Sequence, residues 1–397
     1  MNWIDEIKRL SDDEYTNIVD VRRHLHKYPE LSFQEFETAK FISSKLDELG
    51  IEHNTGIAGT GIHGVLKGKI PSDKCIFLRA DMDALPIQED STAEYCSQNP
   101  GIMHACGHDV HSASLLGALS ILKKTEAFWG GNISFVFQPG EEKLPGGASR
   151  MIEEGVLNQP RPTAAFAQHV YTQLPAGKVG FRPDMYMASS DELYIHFIGK
   201  GGHGAMPEQC INPILMGADF LKSVYAHFDA SKPKGMHSVL SFGKAIANGA
   251  TNVIPETFIL EGTFRTLDEN WRRKGKEILK QMAQEIEELY KAKVELNIVQ
   301  GYPSLKNDPA LTMQAIEAAK AYLGEENVEM LDLRMTSEDF AYFTQVLPSC
   351  FYRLGTGNPE KGIVHNVHHA RFDIDEEALK TGMGLMAYLA LNALDNH

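Results

Sequence analysis

Short apolar runs alternate with helical stretches through the first third of the chain, and this order limits the choice of fold more than any other feature. Buried-strand patterns occur in CIFLRADMD (75–83), NISFVFQP (132–139) and TAAFAQHV (163–170), and helical periodicity occurs in 36–49 and 108–124. Strands that alternate with helices are typical of α/β proteins, whose strands run mostly parallel. The sequence therefore predicts an α/β fold built on a mostly parallel sheet.

Near residue 187 the order of elements changes. From there to about residue 300 the patterns read β-α-β-β-α-β, which is the order of the ferredoxin-like split unit, a compact domain in itself. The α/β alternation then resumes and continues to the C-terminus. We therefore expect one α/β domain formed by residues 1–186 and 301–397, interrupted by a small α+β domain of residues 187–300.

Charge and cysteine usage limit the partners and the compartment. The 397 residues include 38 Lys+Arg and 53 Asp+Glu, a net charge of −15. This acidic balance disfavours nucleic-acid partners and polybasic membrane anchors. The N-terminal segment lacks the charged and apolar regions of a signal peptide, and no apolar run reaches the roughly 20 residues of a membrane span. Five scattered cysteines give no disulfide pattern, so we expect a reduced, cytoplasmic protein.

Side chains that bind metals or move protons follow the predicted strands or begin a helix. They are Asp81 and Asp83, Cys106 and His108, Glu141 and Glu142, His169, and the group His365, His368 and His369. Each alone also fits a helix cap, an acidic turn or a structural histidine. Ligand crevices lie at the carboxyl ends of strands in α/β sheets, so we expect these side chains to converge. Together they suffice for two metal ions about 3.5–4 Å apart, which predicts amide or ester hydrolysis.

The adjacent glutamates are expected to differ in role. They follow a strand, in which successive side chains point to opposite sides. One carboxylate can then bind a metal while the other accepts the proton of a water molecule. A cysteine nucleophile is the alternative, because Cys106 lies near histidines at a helix start, where a thiol pKa falls. That alternative leaves Glu141, Glu142, His169 and His368 unexplained, and the metal interpretation is favoured.

An ordered series of motifs covers essentially the whole chain. They are RRHLHKYPELSFQE (22–35), LRADMDALPI (78–87), GIMHACGHDVH (101–111), FQPGEE (137–142), QHV (168–170), GKGGHGAMP (199–207), NVIPE (252–256), SEDF (337–340) and HHARFDIDEEAL (368–379). On these motifs the chain resembles the dinuclear metallo-aminoacylase superfamily. Within it, the chain is most similar to the amidohydrolases that act on hippurate, indole-acetyl-amino acids and N-acetyl-diaminopimelate.

The resemblance implies a role for each matching residue. The implied metal ligands are Cys106 as the bridging ligand, His108, Glu142, His169 and His368. Glu141 matches the general base, and Asp83 matches a carboxylate that orients a ligand histidine. On the small domain, His203 matches a residue that stabilises the oxyanion, donated across the interface in dimeric members. Asn252 and Arg265 match residues that contact substrate.

The implied activity is that of a metal-dependent amidohydrolase. It would cleave the amide of N-acetyl, N-benzoyl or aryl-acetyl amino acids with a metal-activated water and a glutamate base. The implied cofactors are two divalent ions, with Mn or Zn expected first and Co or Ni as alternatives. The small domain would act as a lid and would form a homodimer or larger homo-oligomer. A dipeptidase or metallocarboxypeptidase of the same superfamily is the alternative, whereas a non-catalytic binding protein would have lost Glu141 or several ligands.

Departures from the superfamily pattern favour one of its branches, the amidohydrolases, over the peptidases. The peptidase branch has a His-x-Asp ligand motif where this chain has Asp81-Met-Asp83, and a bridging Asp near the position of Cys106. Both departures belong to the amidohydrolases and favour deacylation over peptide hydrolysis. Ala370 stands where that group usually has proline. His365 and His369 therefore remain alternatives to His368, which the spacing to Arg371 favours.

Overall fold

The structure, a computed structural model, describes residues 2–396. Its helices are α1 (Trp3–Lys27), α2 (Phe36–Glu48), α3 (His108–Lys124), α4 (Gly147–Glu153), α5 (Pro213–Ser231), α6 (Glu269–Tyr290), α7 (Pro309–Leu323), α8 (Ala341–Thr344) and α9 (Ala378–Asn396). Its strands are β1 (His53–Ile57), β2 (Gly61–Lys67), β3 (Ile70–Asp81), β4 (Gly130–Gln138), β5 (Ala164–Pro175), β6 (Val179–Phe181), β7 (Asp184–Met187), β8 (Asp191–Ile198), β9 (Gly202–His203), β10 (Ser238–Ile246), β11 (Val253–Ile254), β12 (Thr257–Thr266), β13 (Lys293–Gln300), β14 (Leu305–Asn307), β15 (Val328–Met330) and β16 (Ser349–Gly357).

The chain divides into two compact units. The first comprises Met1–Met185, Lys306–Asp332 and Asp339–His397, and the second comprises Tyr186–Leu305 and Leu333–Glu338. The short segment 333–338 belongs to the second unit because its backbone bonds there: the Arg334 amide donates to the Tyr186 carbonyl at 2.9 Å. The sequence pattern instead predicts that segment and residues 301–305 in the α/β domain.

An eight-stranded sheet forms the centre of the first unit. Its order is β1-β2-β4-β3-β5-β16-β6-β15. Neighbours are parallel from β4 through β3 and β5 to β16, and antiparallel at β1–β2, β2–β4 and β6–β16. Every residue of β16 is buried, as is typical of a parallel sheet covered on both faces. The predicted α/β fold with a mostly parallel sheet is confirmed.

Some elements differ from the sequence patterns. The hairpin β1–β2 was not predicted, and three successive residues of β1, Asn54, Thr55 and Gly56, are exposed. The predicted strand that ended near His169 continues to Pro175 as β5, so His169 lies inside a strand. Helix α1 covers Trp3–Lys27, whereas the sequence pattern predicts a helix only over residues 17–27. The strand order of the centre is unaffected by these differences.

The second unit is an α+β fold of its own. Four antiparallel strands in the order β10-β12-β8-β13 combine with α5 and α6, in the chain order β8-α5-β10-β12-α6-β13. This is the predicted β-α-β-β-α-β pattern. Aromatic side chains fill the core between helices and sheet, among them Phe197, Phe220, Phe264 and Trp271. Asn212 and Asp268 cap the two helices through side-chain oxygens, which fixes where each helix begins.

No helix in the part of the chain from residue 2 to residue 396 combines the length and apolar character needed to cross a bilayer.

Candidate metal centre

Polar side chains collect near one edge of the first unit's sheet, after the carboxyl ends of two adjacent strands and within a third. Strand β3 ends at Asp81 and is followed by Asp83, while β4 ends at Gln138 and is followed by Glu141 and Glu142. Strand β5, on the other side of β3, carries His169. The start of α3 and the loop before α9 add further ligand types to this edge of the sheet. Sheet topology therefore concentrates the predicted residues, as expected for an α/β crevice.

The five predicted metal ligands converge on one point. Donor atoms of Cys106, His108 and His169 lie within 4.8 Å of one another, and so do those of Cys106, Glu142 and His368. The Cys106 Sγ lies 3.4 Å from the His169 Nε2. The His108 Nε2 lies 4.0 Å from the Glu142 Oε1. Cys106 is common to both groups of three, the geometry that a bridging ligand requires.

Hydrogen bonds fix the protonated nitrogen of two of these histidines. The His108 Nδ1 lies 3.1 Å from the Asp83 Oδ1, and the His169 Nδ1 lies 2.9 Å from the Val170 carbonyl oxygen. Both partners only accept hydrogen bonds, so each Nδ1 carries the proton and donates. In the neutral ring the lone pair then lies on Nε2, which faces the cluster, and this is the form in which histidine binds metals.

Asp83 joins two elements of the cluster. Besides the bond from His108, its Oδ2 accepts from the Ser32 hydroxyl at 2.6 Å and from the Glu142 amide at 2.9 Å. The carboxylate is buried. It therefore sets the ring orientation of His108 and the backbone position of Glu142 together.

The two glutamates lie in a turn beyond β4. The expectation that they follow the alternation of a strand is therefore wrong. The turn is held by Glu35, whose Oε1 accepts from the Gly140 amide at 2.8 Å. Gly140 has φ of +61°, and a Cβ there would lie 2.4 Å from the Phe33 ring. Only glycine suits this turn. The glutamates nevertheless diverge: the Glu141 Oε1 accepts from the Asp339 amide at 3.4 Å, and the Glu142 Oε1 faces His368.

The electrostatics of the cluster favour a bound cation. Burial lowers the pKa of His108, but the carboxylates of Asp81, Asp83 and Glu142 outweigh it and raise that pKa to about 10. Burial, with the charges of Glu142 and Glu141, raises the pKa of the Cys106 thiol well above its ordinary range. A thiolate at Cys106 therefore needs a positive charge beside it, which disfavours the cysteine-nucleophile alternative. Burial holds the pKa of His169 well below its usual value, so its ring is neutral.

The residues present fit divalent metal ions. The His108 Nε2 and the Glu142 Oε1 are buried and have no hydrogen-bond partner among the described residues, although burying an unpaired polar atom is costly. A cation among these donors would satisfy both atoms. One thiolate with imidazole and carboxylate ligands suits zinc by softness, and the imidazole and carboxylate ligands also suit manganese.

Of the three neighbouring histidines, His368 reaches the cluster. Its Nε2 lies 3.2 Å from the Glu142 Oε1. His368 adopts φ of +65°, and its amide donates to the Ala105 carbonyl at 2.7 Å, next to Cys106. The rings of His365 and His369 instead stack on each other, with centroids 4.2 Å apart. This geometry supports the choice of His368 as a ligand.

The remaining three predicted residues belong to the second unit. His203 is exposed on β9, and β9 pairs with β11, so that the Gly204 amide donates to the Asn252 carbonyl at 2.8 Å. His203 and Asn252 are therefore neighbours. Arg265 lies on β12, and its Nη1 donates to the Met335 carbonyl at 3.2 Å. Burial lowers the pKa of Arg265 below its ordinary value.

The residues that support the cluster were not predicted from the sequence. Ser32 and Glu35 hold Asp83 and the Gly140 turn through long-range hydrogen bonds. Both lie in the motif RRHLHKYPELSFQE, which no function had explained. Arg79 and Asp339 were likewise quoted within motifs without a role. A charged residue inside an apolar strand pattern, as in CIFLRAD, is the signal that could have identified Arg79.

Residues 77–392 match Peptidase family M20/M25/M40. The N-acyl-L-amino acid amidohydrolase of Geobacillus stearothermophilus is 40% identical over 307 residues, covering 76% of this chain and 81% of that protein. The N-acetylcysteine deacetylase of Bacillus subtilis is 36% identical over 382 residues, covering 96% and 98%. Thermostable carboxypeptidase 1 of Saccharolobus solfataricus is 34% identical over 394 residues, covering 98% and 99%. A crystal structure of the Bacillus subtilis YxeP protein, described as a dinuclear metal binding peptidase of family M20, has a TM-score of 0.82 at 34% identity, covering 97% of this chain and 100% of that chain.

Proposed function

The chain belongs to Peptidase family M20/M25/M40, and on this premise we propose that it is a metal-dependent amidohydrolase that cleaves the amide bond of N-acyl amino acids. Relatives named N-acyl-L-amino acid amidohydrolase and N-acetylcysteine deacetylase support this substrate class. The observation that carries the proposal is the convergence of Cys106, His108, Glu142, His169 and His368, with Cys106 common to two groups of donors.

Two divalent ions would be held by these five residues, with Cys106 between them. The description of the YxeP structure as dinuclear supports the number of ions, and the cysteine favours zinc, with manganese next. When bound, such a pair lowers the pKa of a water molecule and polarises the scissile carbonyl. Asp83 keeps the Nε2 of His108 free for this role by accepting a hydrogen bond from Nδ1.

Glu141 is the residue that moves the proton. Its carboxylate lies beside the donors of His108 and Glu142 without replacing them, and its Oε1 is held by the Asp339 amide. There it accepts a proton from the attacking water and returns it to the nitrogen of the leaving amino acid. A positioned base of this kind contributes about 10²–10⁴-fold to the rate.

The second unit contributes to the substrate side of the reaction. His203 donates a hydrogen bond to the oxyanion, and Asn252 and Arg265 contact the substrate, as the family resemblance implies. The unit acts as a lid and joins two chains into a homodimer, across which His203 serves the partner's site. The pairing of β9 with β11, which makes His203 and Asn252 neighbours, supports a shared role. A cytoplasmic location stays a prediction from the sequence.

A carboxypeptidase or dipeptidase is the second candidate, favoured by the relative named thermostable carboxypeptidase 1. One experiment separates the two. The chain, stripped of metal and reloaded with Zn²⁺ or Mn²⁺, is assayed on N-acetyl, N-benzoyl and N-indole-acetyl amino acids beside unblocked dipeptides and N-blocked dipeptides. The proposal predicts metal-dependent turnover of the acylated single amino acids. Turnover of the peptides alone would replace it with the second candidate.

A further inference from the structure

Arg79 lies inside the central sheet with no exposed side-chain surface. Its Nη1 donates to the Asp81 Oδ2 at 2.5 Å, and its Nη2 donates to the Asp339 Oδ1 at 2.7 Å. Its Nε donates to the Gln138 Oε1 at 2.9 Å. One guanidinium therefore holds the ends of β3 and β4 and the loop that carries Asp339. A planar group with five donors can do this, whereas the compact ammonium of lysine cannot.

The Asp81 branch leads to a metal ligand. The Asp81 Oδ1 lies 2.6 Å from the His111 Nδ1, and the His111 Nε2 lies 2.9 Å from the Val170 amide nitrogen. Because the amide can only donate, Nε2 is unprotonated and Nδ1 donates to Asp81. Both nitrogens of His111 are thus engaged, and His111 holds the peptide unit that joins His169 to Val170.

The Asp339 branch leads to the proton-moving residue. The Asp339 carboxylate accepts from the Gln138 side-chain amide at 2.8 Å and from the Ala148 amide at 3.0 Å. With Arg79 these bonds fix the backbone of Asp339, and its own amide donates to the Glu141 Oε1. Asp339 is part of the motif SEDF, which gains a role from this contact.

We propose that Arg79 is a positioning residue that couples the two branches, setting His169 through Asp81 and His111, and Glu141 through Asp339. The proposal rests on the proposed function for the roles of His169 and Glu141. Buried ion pairs contribute little net stability compared with apolar packing, so the distinctive contribution of this network is geometric. The amide of Asp339 bonds Glu141 directly, and Asp81 reaches the peptide unit between His169 and Val170 in two bonds, through His111.

The branches make separable predictions for three variants. His111→Asn breaks the first branch and is expected to weaken the affinity of the metal-free chain for at least one ion by about 10–100-fold. Asp339→Asn keeps the size of the side chain and the backbone amide. It is expected to lower kcat about 10-fold at unchanged KM and unchanged metal affinity. Arg79→Lys keeps a buried positive charge but loses the planar set of guanidinium donors. It is therefore expected to show both the weaker metal affinity and the lower kcat.

Zn²⁺ and Mn²⁺ affinities are measured by competition with a chromogenic chelator, which needs no substrate, so failure of the proposed activity leaves this readout intact. Asp191→Asn is the matched control, because it breaks an equally buried pair, Arg272–Asp191, in the second unit. It should lower Tm and leave the metal affinity unchanged. If Arg79→Lys and His111→Asn behave like this control, with a lower Tm and wild-type metal affinities, the network is merely structural and the proposal is overturned. Should Arg79→Lys fail to fold, the same pattern is read from His111→Asn and Asp339→Asn.

Discussion

The Nε2 atom of His368 lies 3.2 Å from the Oε1 atom of Glu142. These residues are far apart in the sequence of the first unit, one after β4 and the other in the loop before α9. The Glu142 Oε1 has no hydrogen-bond partner among the residues described, although it is buried beside two imidazoles. A metal ion bound by both side chains, as we propose, would account for this contact.

Glu142→Gln is expected to lose affinity for at least one ion by about 10-fold or more, because the amide removes the negative charge that faces the cation. Excess metal should restore part of the activity. Metal content after gel filtration, measured together with kcat over a range of metal concentrations, checks this expectation. Glu153→Gln, an exposed glutamate of the same unit, is the control and should behave as wild type.

Cys106→Ser is expected to lose metal and activity together, since a thiolate ligand is replaced by a hydroxyl that stays protonated. Cys96→Ser, on a partly exposed loop residue, should change neither quantity. Elemental analysis and turnover are measured on the same samples. A Cys106→Ser protein that keeps both ions and loses only turnover would support the nucleophile alternative instead.

His203→Ala is expected to lower kcat by about 10²–10³-fold, the usual effect of removing one oxyanion donor, with metal content unchanged. His196→Ala, another exposed histidine of the second unit, serves as the control. Ultracentrifugation first establishes whether the chain forms dimers. Inactive His203→Ala and Glu141→Gln chains, mixed into heterodimers, should then recover activity. No recovery in a verified mixed dimer would mean that His203 acts within its own chain.

His26 should make stability fall with rising pH. Its Nδ1 lies 2.8 Å from Asp109 and its Nε2 lies 3.2 Å from Glu89. Burial and the Arg22 charge lower the pKa of His26, but these carboxylates outweigh them and raise it. Because its pKa is higher in the folded protein, charged His26 stabilises the fold. This contribution is complete below the unfolded pKa of about 6.5 and disappears as pH rises through the folded pKa. His26→Gln should therefore cost about 1–3 kcal/mol at pH 5.5 and less at pH 9, as urea unfolding would measure. A cost that grows with pH would contradict this assignment.

Much of the fold could be predicted from the sequence, because the hydrophobic periodicity of an element and the residues that end it indicate the same bounds. The pattern NISFVFQP ends at Pro139-Gly140, and α3 has the bounds that its apolar spacing predicted. The hairpin β1–β2 was missed because an edge strand with exposed polar residues has no apolar alternation. Tertiary pairing, not local propensity, makes such a segment a strand.

The candidate site could be predicted only to the extent that residue types and the family resemblance identify its residues. Cys106, His108 and His169 could be named from their motifs, but the turn that separates the two glutamates could not. That turn depends on Glu35, far away in the sequence. The Arg79–Asp339 ion pair could not be predicted for the same reason, because no sequence pattern indicates which distant carboxylate a buried arginine will bind.

The central claim is that the five ligands hold the metal while Glu141 moves the proton, and Glu141→Gln tests it most directly. The amide keeps the shape of the side chain and removes its basicity, so metal binding and catalysis should separate. Metal content and kcat on an N-acyl amino acid are measured on the same preparation. The account predicts two ions per chain, as in the wild type, with kcat lowered by about 10²–10⁴-fold or more. Normal turnover, or loss of metal with partial rescue by excess ions, would contradict it.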